Sequence, residues 1–247
     1  MIGIDAISVE DAARAIHLPT LILLFAFMVV SAQMRLGGFY DWIAHKVAAL
    51  PLAPPLLIGV LIFAVAALSA VFSNDIVCLT VAPILIAACR RRRLPPIPFL
   101  LGLACAANIG SAATLIGNPQ NMLIGQTLRL PFAGYAAVAI VPVLLGLVAT
   151  WAVIVVHVRG QWTQAIADPD ALERRATDEP LDRWQTAKGL GVATAILLSF
   201  LLAPWPREVV ALVGAGVLLM SRKLHSSRML GLVDWELLVL FMGLFIV

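Results

Sequence analysis

Apolar residues in this chain gather in runs, and polar residues form short islands between them. The runs cover positions 18–33, 56–72, 76–89, 99–107, 122–130, 132–157, 189–203, 209–220 and 237–247. A helix needs roughly 20 mostly apolar residues to cross a bilayer. Positions 132–157 meet that length, and 18–33 reads as a first spanning helix. Positions 39–50 differ, because Trp42, Ile43, Val47 and Leu50 are mixed with Asp41, His45 and Lys46. That mixture predicts an amphipathic helix lying at the membrane interface. Pro51, Pro54 and Pro55 then break the chain. The one extended polar stretch, 159–188, holds six acids and five bases and predicts a solvated loop or surface helix.

Composition turns these runs into a statement about solvent. The chain is 62% hydrophobic and 13% charged, against about half and about a quarter in soluble domains. The medium that accepts this much apolar surface is lipid, so the fold class is an all-α polytopic membrane protein. A net charge of +3 does not point to nucleic acid, because the charges sit in a few loops between the runs. With the loops around Arg35 and Lys46, 90–93, 159–188 and 222–228 in the cytoplasm, 14 of 17 Lys and Arg lie inside. Arg14, Arg129 and Arg207 lie outside, a positive-inside distribution that leaves the acidic N-terminus outside. That terminus lacks the basic flank of a cleavable signal peptide. The three cysteines, Cys78, Cys89 and Cys105, are odd in number, fit no zinc spacing and read as unpaired packing thiols.

Positions 56–89 return to the side from which they start. They form either two full spans or a re-entrant hairpin with Ser73 and Asn74 at its tip. Charge counting does not separate these. Length favours the hairpin, because 75–89 gives only about 22 Å of helix against a hydrocarbon core of about 30 Å.

Two polar islands carry the candidate chemistry. One is Ser69-Ala-Val-Phe-Ser73-Asn74-Asp75, and the other is Asn108-Ile-Gly-Ser-Ala-Ala-Thr-Leu-Ile-Gly-Asn-Pro-Gln-Asn121. A helix break in lipid exposes backbone groups that only protein or an aqueous cavity can satisfy. Transporters place such breaks near the midplane, where helix N-termini attract anions and freed oxygens hold cations. Gly110, Gly117 and Pro119 make the second island a break. Ser69 and Ser73, four apart, share a face if the preceding run is helical to that point. Small polar residues also permit close helix packing, a plainer role for Ser111 and Thr114. Asp75 is the one acid within these runs, a functional candidate by default or an N-cap of the helix that follows.

These islands resemble the motifs of the ion transporter superfamily, which includes divalent-anion symporters, citrate-type permeases, arsenite permeases and sodium/proton antiporters. Ser73-Asn74 followed by an apolar helix with Pro83 is similar to its first hairpin motif. Positions 108–121 resemble its broken-helix motif closely. The resemblance implies an elevator-type carrier, usually a homodimer in the inner or plasma membrane, without a prosthetic group and driven by a sodium or proton gradient. By motif position it implies a sodium site at Ser69, Ser73 and Asn74, with Asp75 and Gly117 also in ion coupling. Substrate contact would fall on Asn74, Gly117, Asn118, Pro119 and Asn121. Asp75 follows Asn74 where the symporter branch has threonine, so the tip is more similar to the arsenite and anion permeases.

The implied organisation is an N-terminal segment (1–50), a transport-type region (51–130) with hairpin 54–89 and broken helix 98–130, then spanning helices (131–232). Leu21, Leu23 and Val30 match Leu238, Leu240 and Val247 at one offset, which fits a second repeat beginning near Val233. The last 11 residues, 237–247, are too few to span, so the sequence reads as truncated, with half of the implied site beyond it. The expected function is transport of a small anion or arsenite-like solute. The alternatives are sodium/proton antiport and a membrane-embedded enzyme. Against the enzyme, His17, His45, His157 and His225 sit at run ends or in loops, away from Asp75, and no catalytic residue is assigned.

Overall fold

The computed structural model describes residues 10, 15–162, 181–221 and 225–246, and among these every regular element is a helix. The acidic N-terminal positions, most of the 159–188 stretch, the basic residues at 222–223 and Val247 lie outside the described residues.

The most enclosed helix is α1 (Leu18–Leu36), started by His17, whose Nδ1 accepts from the Thr20 amide at 3.3 Å. Two glycines follow, and Gly38 has a left-handed φ of 71° that lets the chain reverse into α2 (Phe39–Ala48). Then come α3 (Pro54–Val71) and α4 (Asn74–Arg91), joined by two residues. The helix α5 (Pro96–Ser111) is followed by a non-helical stretch and α6 (Pro119–Thr127). The long α7 (Phe132–His157) and α8 (Arg183–Leu202) come next. The described chain closes with α9 (Arg207–Leu219), α10 (Ser226–Leu230) and α11 (Trp235–Ile246). By length and composition, α1, α3, α7 and α8 can each cross a membrane, and the protein is a multi-pass membrane protein.

Two packing units meet at α1. In one, α3 crosses α5 so closely that a Cβ on Gly110 would lie 2.3 Å from Ala66 Cα. In the other, α8 and α9 pack on α1. There Gln33 Nε2 donates to the Gln185 carbonyl at 3.0 Å and to its Oε1 at 3.1 Å, and Thr186 Oγ1 donates to the Gly37 carbonyl. Asp182 caps α8 by accepting from the Trp184 and Gln185 amides, so this helix starts six residues before the apolar run that announced it.

Two expectations change. The second arm of the 56–89 pair is not shorter than the first. Both α3 and α4 have 18 residues, about 27 Å of helix each, because α4 takes in Asn74, Asp75, Arg90 and Arg91 at its ends. The helix α2 packs against the protein. It runs along α4, from Tyr40 against Phe72 (ring centroids 5.9 Å) to the Ala48 carbonyl, which accepts from Arg92 at 3.1 Å. Its buried side carries Tyr40, Asp41 and Ala44. Finally, α3 ends at Val71, so Ser73 belongs to the tip and shares no helical face with Ser69.

Candidate functional site

The tip between α3 and α4 and the break between α5 and α6 face each other across a chain of polar contacts. At the tip, the Ser73 amide donates to Ser31 Oγ of α1 at 3.0 Å. Asn74, the first residue of α4, is buried, and its Nδ2 makes a long 3.5 Å contact with Asn108 Oδ1 on α5. From Asn108 the contacts continue into the break. Ser111 Oγ donates to the Asn108 carbonyl at 2.8 Å, and Asn118 Nδ2 donates to Ser111 Oγ at 3.0 Å. The Asn121 amide then donates to Asn118 Oδ1 at 2.8 Å, which makes Asn118 the N-cap of α6.

The break has its own supports. Thr114 Oγ1 donates to the Ala70 carbonyl of α3 and accepts from the Ile116 amide, tying the break to the arm before the tip. Asn121 Nδ2 donates to the Thr114 carbonyl at 3.0 Å. Tyr135 of α7 donates to the carbonyl of Ala112, the C-cap of α5, at 3.0 Å. Buried backbone groups freed by a break need such partners. Gly117 is required by contact rather than by φ. A Cβ there would stand 2.2 Å from the Ser111 carbonyl oxygen.

Two buried oxygens stand out. Ser69 Oγ and Asn74 Oδ1 are two of five buried side-chain oxygens without a hydrogen-bond partner among the described residues, and Ser69 is fully enclosed. An unpartnered buried oxygen is costly, and hydroxyl and amide oxygens are the hard donors that suit an alkali cation.

Asp75 is on the exposed side of α4, in its first turn. It is not the cap, because Ser73 occupies that position and makes no side-chain cap bond. The helix N-terminus favours its negative charge. Pro119 opens α6 and, like Asn118 and Asn121, is half-buried. The cysteines are unpaired, with Cys89 buried, Cys78 half-buried and Cys105 exposed. No three His, Cys, Asp or Glu side chains gather among the described residues.

Sequence reasoning missed Ser31, Tyr135 and the pairing of Asn108 with Asn74. Ser31 had a local signal, a hydroxyl near the far end of the apolar run of α1. The other two depend on contacts across 23 and 34 positions and leave no local trace.

Comparison with known proteins identifies the family. A 46 kDa membrane protein of Mycobacterium leprae is 31% identical over 91% of this chain and 53% of its own length. The silicon efflux transporter LSI3 of Oryza sativa subsp. japonica is 37% identical over 59% of this chain and 30% of its own length. A putative transporter, arsB, of Dictyostelium discoideum is 33% identical over 59% of this chain and 26% of its own length. The chain spans about half the length of the first of these. The family model described as citrate transporter matches residues 1–247. With its whole length matched, this chain belongs to the citrate transporter family.

Proposed function

We propose that this chain forms part of a secondary active transporter for a small anion or arsenite-like solute, driven by a sodium or proton gradient. The observation that carries the reading is the pair of unpartnered buried oxygens, Ser69 Oγ and Asn74 Oδ1, beside a helix break in a member of this family. Ser69, Ser73 and Asn74 supply a cation's oxygen ligands, and Gly117 lets the break approach closely. The N-terminus of α6, with Asn118, Pro119 and Asn121, presents its positive end to an anionic solute. Relatives named for silicon efflux and arsB widen the solute class beyond carboxylates. The same reading makes α3 and α4 a re-entrant hairpin within an elevator-type homodimer in the cell membrane. It assigns no enzymatic step.

A second reading, sodium/proton antiport, is favoured by Asp75, a carboxylate beside the tip with no capping duty. The test is uptake into proteoliposomes by the full-length protein, with a panel of anions and imposed sodium or proton gradients. Asn74→Ala should weaken solute uptake under either driving ion. Asp75→Asn removes only the charge and should chiefly change the sodium or pH dependence. Solute-independent sodium/proton exchange in the wild type, abolished by Asp75→Asn, would favour antiport. No gradient-driven flux of any panel solute or cation would sink both readings.

A further inference from the structure

The Tyr40 hydroxyl is another of the buried oxygens without a hydrogen-bond partner among the described residues. Tyr40 sits in the first turn of α2, just after the left-handed Gly38, and is fully enclosed. Its ring is fixed. It meets Phe72 edge-on, with centroids 5.9 Å apart and planes at 85°, and packs on Phe39 at 5.9 Å. Phe72 directly precedes Ser73, so the ring lies against the tip. The hydroxyl faces Ser31 of α1 but completes no hydrogen bond with it.

Ser31 is equally enclosed, and its Oγ accepts from the Ser73 amide at 3.0 Å. The tip amide and a buried phenol therefore converge on one serine oxygen. As placed, Ser31 serves the tip and leaves the phenol unserved. A buried hydroxyl without a partner is destabilising, and the packed ring cannot swing away to find another. The penalty disappears once the Ser31 hydroxyl turns about χ1 from the amide to the phenol.

Resting on the transport reading above, we propose that Ser31 and Tyr40 are positioning residues for the tip. Ser31 holds the Ser73 amide in the arrangement seen here, and Tyr40 takes Ser31 over when the tip lets go. Neither side chain touches solute or ion. Both act through Ser73 and, beyond it, Asn74. A carrier whose hairpin moves against α1 has to break the Ser31–Ser73 bond in each cycle. The phenol gives the serine a replacement partner, and its unsatisfied state keeps the held arrangement from becoming too stable to leave.

The test is hydrogen exchange at the Ser73 amide of the full-length protein in detergent, read from overlapping peptides, together with uptake by the same preparations in proteoliposomes. Tyr40→Phe keeps the ring and removes the hydroxyl. It should slow exchange at Ser73 about tenfold, the size set by one unsatisfied buried hydroxyl. It should also lower the maximal uptake rate without raising the half-saturating solute concentration. Ser31→Ala should speed the same exchange about tenfold, and in that background Tyr40→Phe should add nothing. Unchanged exchange in Tyr40→Phe overturns the proposal, because the side chain then only fills space. Faster exchange overturns it too, since the hydroxyl would then support the held tip. A slowing that persists in the double variant overturns the route through Ser31. Slower exchange with unaltered uptake kinetics overturns the link to transport. If the wild type carries no panel solute, the transport reading fails, and the exchange measurements still decide whether Tyr40 competes for Ser31.

Discussion

The α3–α6 unit and the α7 helix are built from similar apolar residues and behave differently. In the most apolar window of α7, 11% of residues are buried, against 44% for α3. The hydrophobic content of α7 is spent on the surface, with Val138, Leu145 and Val156 each more than three-fifths exposed. The α3–α6 unit instead closes on itself through glycines and hydroxyls. In lipid, apolar surface gives helices no reason to associate, and small residues and interhelical hydrogen bonds take over. The difference between a lipid-facing helix and a packed one is therefore carried by a handful of polar and small positions.

The sharpest way to break this comparison is at the α3–α5 crossing. Gly110→Ala would put a methyl 2.6 Å from the Ala66 carbonyl oxygen, and backbone cannot step aside. The expected loss is about 3 kcal/mol or more, read as a drop in the unfolding midpoint in mild detergent. Gly191→Ala on α8 meets nothing within 4 Å and should stabilise by about 0.5–1 kcal/mol through helix propensity alone. Equal effects of the two would refute the close-crossing account.

A smaller effect is expected where a hydroxyl joins two segments. Thr114→Val keeps the shape but removes the donor to the Ala70 carbonyl, at a cost of about 1–3 kcal/mol. Hydrogen exchange at positions 112–118 should rise in parallel. Ser199→Ala, whose hydroxyl bonds only the Ala195 carbonyl one turn earlier on an exposed face, should change little by either measure. Smaller still, Asn118→Ala removes the cap of α6 and should cost about 1 kcal/mol, with faster exchange confined to its first turn. At the bottom of the scale, Leu145→Ala on the exposed face of α7 should stay within about 0.5 kcal/mol of wild type. A loss of about 2 kcal/mol there would mean that this face is covered by protein rather than lipid.

Much of this was legible along the chain because lipid makes polar residues conspicuous. The break at 112–118 is announced by Gly117, Pro119 and four amide side chains within 14 positions, and the structure places it between Ser111 and Pro119. The bounds of α4 were not legible. Hydropathy stops at charges, whereas a helix continues until its caps, here past Arg90 and Arg91 to a left-handed Arg93. The position of α2 was also out of reach. Its mixed pattern is the same whether the apolar side meets lipid or meets Phe72 and the flank of α4, and only the fold decides which. The tip residues were recognisable as a group, but that Asn74 meets Asn108, and that Ser31 braces Ser73, is information held between segments rather than within one.

Besides its side-chain packing on α3, α5 and α8, the helix α7 makes two well-separated hydrogen bonds to the rest of the molecule. Tyr135 reaches the Ala112 carbonyl at the break, and Trp151 Nε1 reaches the Pro55 carbonyl at the start of α3, at 2.8 Å. Sixteen residues separate them, about 24 Å along the helix. Gly59 makes room for the Trp151 ring, whose nearest atom would lie 3.1 Å from an added Cβ. Pinned near both ends, α7 is a splint rather than a neighbour. On the elevator reading proposed above, a displacement of the broken-helix unit would carry α7 with it, and the outward face of α7 would then slide against the acyl chains. A featureless apolar stave is the right bearing surface for that, because it has no hydrogen bond to break and no side chain that prefers one depth over another.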